Sequence, residues 1–354
     1  MAHFLYAHFD PRRAAADVML LVLNARGVGD TYLDVPQTFS ALFTSDVRFV
    51  LESYLTPAKI EELYGAHFAA AAGDAADAPP VPIIGLAFSL GGLILSNYAG
   101  EEGRQQETDG AEASPRRQKL AAILTVTTPH SLLAADTAMN TFWTKLVYNH
   151  SFFGGLRRYY DRHQEVIQRL PGIDAERLFS PVQRTPTDTR NFFDANVRTV
   201  RDFDEHLTAP HFGCADAFAY YRKADTFTNL RTATIPQLCI VARNDIICGA
   251  PQDAARWLEV AQAQIDRAAA RQQQQQQQQQ PAERDSDRPA ATAEGGHSHI
   301  VCVEFPVGGH LGFLQHPWAE SIAPTRHQNE MERLVVHAID SVIAHHRAAA
   351  AASP

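Results

Sequence analysis

Gly85-Leu86-Ala87-Phe88-Ser89-Leu90-Gly91-Gly92 follows the apolar run Val81-Pro82-Ile83-Ile84 and leads into Leu93-Ile94-Leu95. A β-rich run, a small-residue turn and a second apolar stretch predict strand, sharp turn and helix, with Ser89 at the apex. A serine on such a strained turn projects its hydroxyl off the end of the sheet, toward a bound acyl group. Strand and helix approach closely there, so the positions two before and two after the serine favour small residues. They are Ala87 and Gly91. The usual pattern is G-x-S-x-G, and the extra methyl of Ala87 is a tolerable departure. Taken alone the pentapeptide also fits a Gly-rich strand–helix turn without chemistry.

Working outward, residues 18–24 (VMLLVLN) form a continuous apolar run that predicts a buried strand ending in a turn at residues 24–30. Ser45 is expected to cap a helix carrying Val47, Val50, Leu51, Tyr54 and Leu55 on one face. Residues 70–80 read as a loop, and the helix after Ser89 is expected to end near Gly100, before an exposed polar stretch at 101–117. Residues 120–127 (LAAILTVT), 236–242 (PQLCIVA) and 300–305 (IVCVEF) predict three more buried strands. A helix is expected at about 251–270, and a last one at about 327–346 with Met331, Leu334, Val335, Ala338, Ile339, Val342 and Ile343 along one face. Strands alternating with helices predict an α/β fold, a mostly parallel sheet with helices on both faces.

Three segments follow. Residues 1–131 carry the first part of the core. Residues 132–230 are aromatic-rich and helical, and predict an inserted cap whose aromatic doublets serve its core. Residues 231–346 carry the second part of the core, interrupted at about 271–296 by a poly-Gln stretch expected to be a disordered surface loop.

Composition narrows the chemistry. The chain has 354 residues, 45% of them hydrophobic, and a net charge of −9. That acidic balance argues against nucleic acid as a partner. Cys214, Cys239, Cys248 and Cys302 lack metal-ligand spacing and suit reduced thiols. His297 and His299 flank the poly-Gln stretch and read as solvated, so no metal and no cofactor is expected. Without an 18-residue apolar run or a basic-then-apolar leader, the expected location is intracellular, cytoplasmic or peripheral to an internal membrane.

Serine is a weak nucleophile that needs a base, and the base needs an orienting acid. The strand at 236–242 leads into Arg243-Asn244-Asp245, and the strand at 300–305 into Gly308-Gly309-His310. Ligands of parallel sheets sit beyond the carboxyl ends of strands. Ser89, Asp245 and His310 each follow such an end, in the chain order serine, acid, histidine. Asp245 also suits a helix N-cap, and Asp225 is a weaker competitor because no strand precedes it.

With these residues in place, the chain resembles the AB-hydrolase family-four group of the α/β-hydrolase superfamily, which holds YheT-like bacterial hydrolases and eukaryotic ABHD-type lipases and esterases. The resemblance spans about residues 18–343. It rests on Asn24-Ala-Arg-Gly-Val-Gly29, the segment from Phe88 to Tyr98, Phe203-Asp204, Thr208-Ala-Pro-His-Phe-Gly213, Tyr220-Tyr-Arg222, the stretch from Pro236 to Asp245, and Gly308 to Leu314. It implies the α/β-hydrolase fold with an inserted helical cap, Ser89 as nucleophile, Asp245 as acid, His310 as base and the Leu90 N–H as an oxyanion donor. It also implies cleavage of carboxylic esters, often acyl lipids or medium-chain esters, and in some relatives acyl transfer to an alcohol. Peripheral membrane contact and oligomeric state stay open.

One departure from the family pattern matters. Members carry an earlier strand ending in His-Gly, whose loop donates a second oxyanion N–H, and no such loop precedes residue 18. Residues 3–9 lie too close to Val18 for a parallel crossover. The absent strand belongs between those at 18–24 and 81–88. A gap in the sheet and a half-built oxyanion hole are therefore expected, as in an N-terminally incomplete or impaired homologue.

Overall fold

The computed structural model describes residues 18–72, 81–108, 120–181, 190–249, 254–278, 298–310 and 330–352. The expectations for residues 3–9 and for His297 lie outside these.

Among the described residues, four strands form one parallel sheet in the order β1 (Ile84–Phe88), β2 (Ala122–Val126), β3 (Gln237–Ala242) and β4 (Ile300–Phe305). Phe88 pairs with Val126, Val126 with Ile240 and Ala242 with Phe305, so the carboxyl ends lie along one edge. Helices cover both faces, because parallel crossovers place them there. On one face Leu124, Val126, Ile240 and Ala242 pack against Met331, Val335, Val336 and Ile339. These belong to α7 (Glu330–Ala351). On the other face Ile123 joins Tyr98, Ala99 and Val260. Those come from α3 (Leu90–Thr108) and α6 (Ala254–Gln278). Neighbouring residues of β2 thus serve opposite layers, as the two-residue period of a strand requires.

Residues 18–24 do not form the expected strand. Val18 and Leu20 rest against the core, but Leu21, Val22 and Leu23 are 54%, 75% and 52% exposed. A strand needs neighbours to take its N–H and C=O groups, and among the described residues none pairs with this run or with the outer edge of β1.

Helix ends also shift. The N-cap position of α1 (Ser45–Ser53) is Thr44, not Ser45, and the Thr44 hydroxyl donates to Glu101 instead of accepting a helix N–H. α2 (Pro57–Ala72) occupies the start of the expected loop. α3 runs past Gly100, because its glycines mark a close approach and not a stop. A Cβ on Gly103 would lie 1.7 Å from the Thr232 carbonyl oxygen, and one on Gly100 2.5 Å from that of Asn229. The Thr232 hydroxyl donates to the Gly100 carbonyl at 2.9 Å across this contact. α6 continues into the glutamine tract as far as Gln278 where a loop was expected; glutamine is a good helix former.

Between β2 and β3 the described residues are mostly helical. α4 (Leu132–Met139) leads to a helical turn at Phe142–Thr144, a π-helical turn at Lys145–Asn149 and α5 (His150–Ile167), and short helices follow. Phe153, Tyr159, Tyr160, Phe193 and Phe203 build a separate aromatic core here. The doublet Phe142-Trp143 does not join it and is 75% and 72% exposed. No helix among the described residues is long and apolar enough to cross a membrane.

Candidate active site

Ser89 lies between β1 and α3 with φ +47°, in the left-handed region that a non-glycine residue occupies only when its surroundings hold it there. Two backbone bonds do so. The Ser89 N–H donates to Val126 O at 3.1 Å, and its carbonyl accepts the Gly92 N–H at 3.0 Å. A Cβ on Gly91 would meet the Ala87 methyl at 3.5 Å, an ordinary contact, so alanine fits two residues before the serine. The tight position is Gly92, where a Cβ would lie 1.7 Å from Thr128 Oγ1. Leu90 begins α3, and no backbone acceptor among the described residues takes its N–H.

Asp245 and His310 come together from the ends of β3 and β4. Asp245 is buried, and its Oδ2 lies 2.9 Å from His310 Nδ1. Its Oδ1 accepts the N–H groups of Ile247 at 2.9 Å and Cys248 at 3.0 Å. Burial pushes this carboxyl up, but the His310 bond and these N–H donors outweigh it and hold it below its ordinary value. An ionised carboxylate only accepts, so the shared proton resides on Nδ1 and leaves Nε2 as the free, basic nitrogen. Asp245 thereby bonds both the turn N–H groups that follow it and the imidazole.

Asn244, which the sequence offers only as a neighbour of the acid, holds the histidine loop. Its Oδ1 accepts the N–H groups of Gly308 and Gly309, each at 2.8 Å, and Gly309 takes φ +56°. Thr127 is a second strained residue, at φ +46° beyond β2. Its carbonyl accepts the Cys248 thiol at 3.2 Å, and Cys248 Sγ also lies 3.7 Å from His310 Nδ1. Thr127 directly follows Val126, whose carbonyl holds Ser89, so a short chain of contacts joins the serine turn to the imidazole. Among the described residues no hydrogen bond joins the Ser89 hydroxyl to His310.

Other candidates take structural parts. Asp225 caps the helix Thr226–Leu230 and pairs with Arg256 at 2.7 Å. His130, beyond β2, is fully buried with Nδ1 2.7 Å from the Thr226 hydroxyl; burial, then the Arg256 charge, pushes it down to about 3. It stays neutral. The His299 N–H donates to Gln264 and its carbonyl accepts from Gln237. Asp204 accepts the Tyr221 hydroxyl at 2.9 Å, and Tyr220 and Tyr221 pack in the cluster that includes Leu90 and Leu93. Asp245, Cys248 and His310 present possible metal-ligand atoms within 4.8 Å of one another. Burial, then the Asp245 charge, drives the Cys248 thiol well above its ordinary pKa.

No family model matches the chain. It is 25% identical over 241 residues to the medium-chain fatty acid ethyl ester synthase/esterase 2 of Saccharomyces cerevisiae, covering 66% of this chain and 46% of that protein. It is 23% identical to the monoacylglycerol lipase of the same yeast, over 66% of this chain and 42% of the lipase. Phospholipase ABHD3 of Mus musculus is 21% identical over 92% of this chain and 57% of its own length. The chain thus spans about half the length of these relatives. A parallel sheet clad by helices and this set of relatives agree: the chain has the α/β-hydrolase fold and is similar to proteins of the ABHD type.

Proposed function

We propose that the chain is a serine hydrolase that cleaves carboxylic esters, acyl lipids or medium-chain esters, with Ser89 as nucleophile, His310 as base and Asp245 as the orienting acid. The observation that carries this reading is the 2.9 Å bond between His310 Nδ1 and a buried, ionised Asp245, on the sheet edge where Ser89 occupies its strained turn. In the reaction His310 Nε2 takes the hydroxyl proton as Ser89 Oγ attacks the ester carbonyl. Asp245 fixes the tautomer and stabilises the imidazolium. The oxyanion forms beside the Leu90 N–H. Collapse expels the alcohol, which receives the proton from Nε2, and water activated by the same nitrogen releases the acid and frees Ser89. The segment 132–230 acts as a cap, and its apolar character favours a medium or long acyl chain.

Fluorophosphonate labelling of the folded chain beside Ser89→Ala tests this. Labelling that vanishes in the variant supports the reading, and a folded, unlabelled wild type refutes it in favour of an impaired homologue. Acyl transfer to an alcohol is the second reading, prompted by the yeast relative named both synthase and esterase. The ratio of ethyl ester to free acid formed in ethanol decides between them.

A further inference from the structure

The exposed aromatic run between α4 and α5 is built inside out. Within residues 142–152, Phe142, Trp143, Leu146, Val147, Tyr148 and Phe152 are all exposed, between 38% and 75%. Single exposed apolar residues are ordinary, but six in eleven make a patch that calls for a partner. The residues turned inward are polar. The Thr144 hydroxyl donates to Ala138 O. Asn149 accepts the Val200 N–H at 3.0 Å and donates to Met139 O at 3.4 Å. These buried bonds fix the turn with its apolar side outward, and Phe153 locks its end into the aromatic core.

The charges around the patch point to its occupant. The chain carries −9 overall, yet residues 140–160 contain no Asp or Glu. Lys145, His150 and Arg158 are exposed there, and Lys145 and Arg158 make no ion pair among the described residues. Tryptophan, tyrosine and phenylalanine beside unpaired cations match the boundary of a lipid layer, where rings enter the acyl region and cations meet headgroups.

The patch is also tied to the site. α4 is eight residues, about 12 Å long, and abuts the acid loop. A Cβ on Gly249, four residues past Asp245, would lie 2.8 Å from Ala134 O. At its start Leu132 and Leu133 pack in the cluster of Leu90 and Leu93.

We infer that residues 142–152 dock the protein on the surface of a lipid bilayer bearing anionic headgroups. Docking there would hold the sheet edge of Ser89 and His310 close to its substrate, and to that extent the role rests on the proposed activity. The full chain, its Phe142→Ser/Trp143→Ser double variant and Lys145→Glu are floated with vesicles of phosphatidylcholine, with and without phosphatidylglycerol. Both replaced aromatic residues are largely exposed, so the double variant leaves no cavity, and circular dichroism checks its fold. The wild type is expected to float with the phosphatidylglycerol vesicles and to shift its tryptophan emission to the blue. The double variant should bind at least about tenfold more weakly and lose the shift, and Lys145→Glu should bind about fivefold more weakly. Absent binding by the wild type, or equal binding by the double variant, overturns the inference. So does self-association without vesicle binding that the double variant abolishes, which would assign the patch to a second copy. Fluorophosphonate labelling without lipid keeps the two readings apart. A chain that floats unlabelled refutes only the hydrolase, and one labelled but not floating refutes only the docking.

Discussion

β2 lies between β1 and β3 with all five residues buried, while residues 18–24, equally apolar, have no strand beside them among the described residues and turn Leu21, Val22 and Leu23 to solvent. The two runs differ little in composition. They differ in neighbours. β2 receives backbone partners on both sides and helices on both faces, so each leucine or isoleucine it buries contributes about 1.5–3 kcal/mol. The run at 18–24 has none of the first and only part of the second. Burial belongs to a place in the sheet, and the site is assembled where that place is complete. Val126 holds the Ser89 turn, Ile240 takes the Thr127 N–H, and β3 delivers Asp245.

The largest effect is therefore expected on the supported side. Asp245→Asn keeps the shape but lets the Nδ1 proton move to Nε2, the wrong tautomer for a base. Ester turnover should fall by about four orders of magnitude, with the fold retained by circular dichroism. Turnover within tenfold of the wild type would show that Asp245 is only a turn residue. Leu124→Ala, at the centre of β2, should cost about 2–5 kcal/mol in urea unfolding. A cost under about 1 kcal/mol would deny β2 its place at the centre of the core.

Gly92→Ala probes the junction between the nucleophile turn and the exit of β2. The new methyl collides with Thr128 and should destabilise the fold by about 1–3 kcal/mol. Thr128→Ala added to it should restore most of that loss. Destabilisation that the second change leaves untouched would place the strain elsewhere, in the turn at Ser89.

Four of the five expected strands were legible because each is a short apolar run bounded by turn residues, and the candidate triad was legible because its members follow three of those runs. What escaped depends on contacts made by residues distant in sequence. Gly100 reads as a helix stop until the Asn229 carbonyl is seen against it. Gly92 is one of two glycines, and only the position of Thr128 shows which one is tight. Asn244 reads as a polar neighbour of the acid, and its hold on Gly308 and Gly309 spans more than sixty residues of sequence. The doublet Phe142-Trp143 matches the buried Tyr220-Tyr221 in composition, and only the inward bonds of Thr144 and Asn149 show which way it faces. The glutamine tract reads as a loop by its monotony, although its first residues have the helix propensity to prolong α6.

The smallest effect sharpens the opening comparison most. Leu23 is half exposed, so Leu23→Ser removes little buried surface and should change stability by less than about 0.5 kcal/mol. The paired leucine in β2 is expected to cost several times more, although both sit in apolar runs of the same kind. A loss for Leu23→Ser that approached the Leu124→Ala value would mean that the run is covered in solution. The covering layer would then have to supply both an apolar face and backbone partners, which the open edge of β1 also lacks. Amide exchange at Leu86 and Phe88 distinguishes that case. Protection of both, alternating with neither, reports a second partner beside β1, because a strand bonded on one side alone leaves every other N–H to solvent.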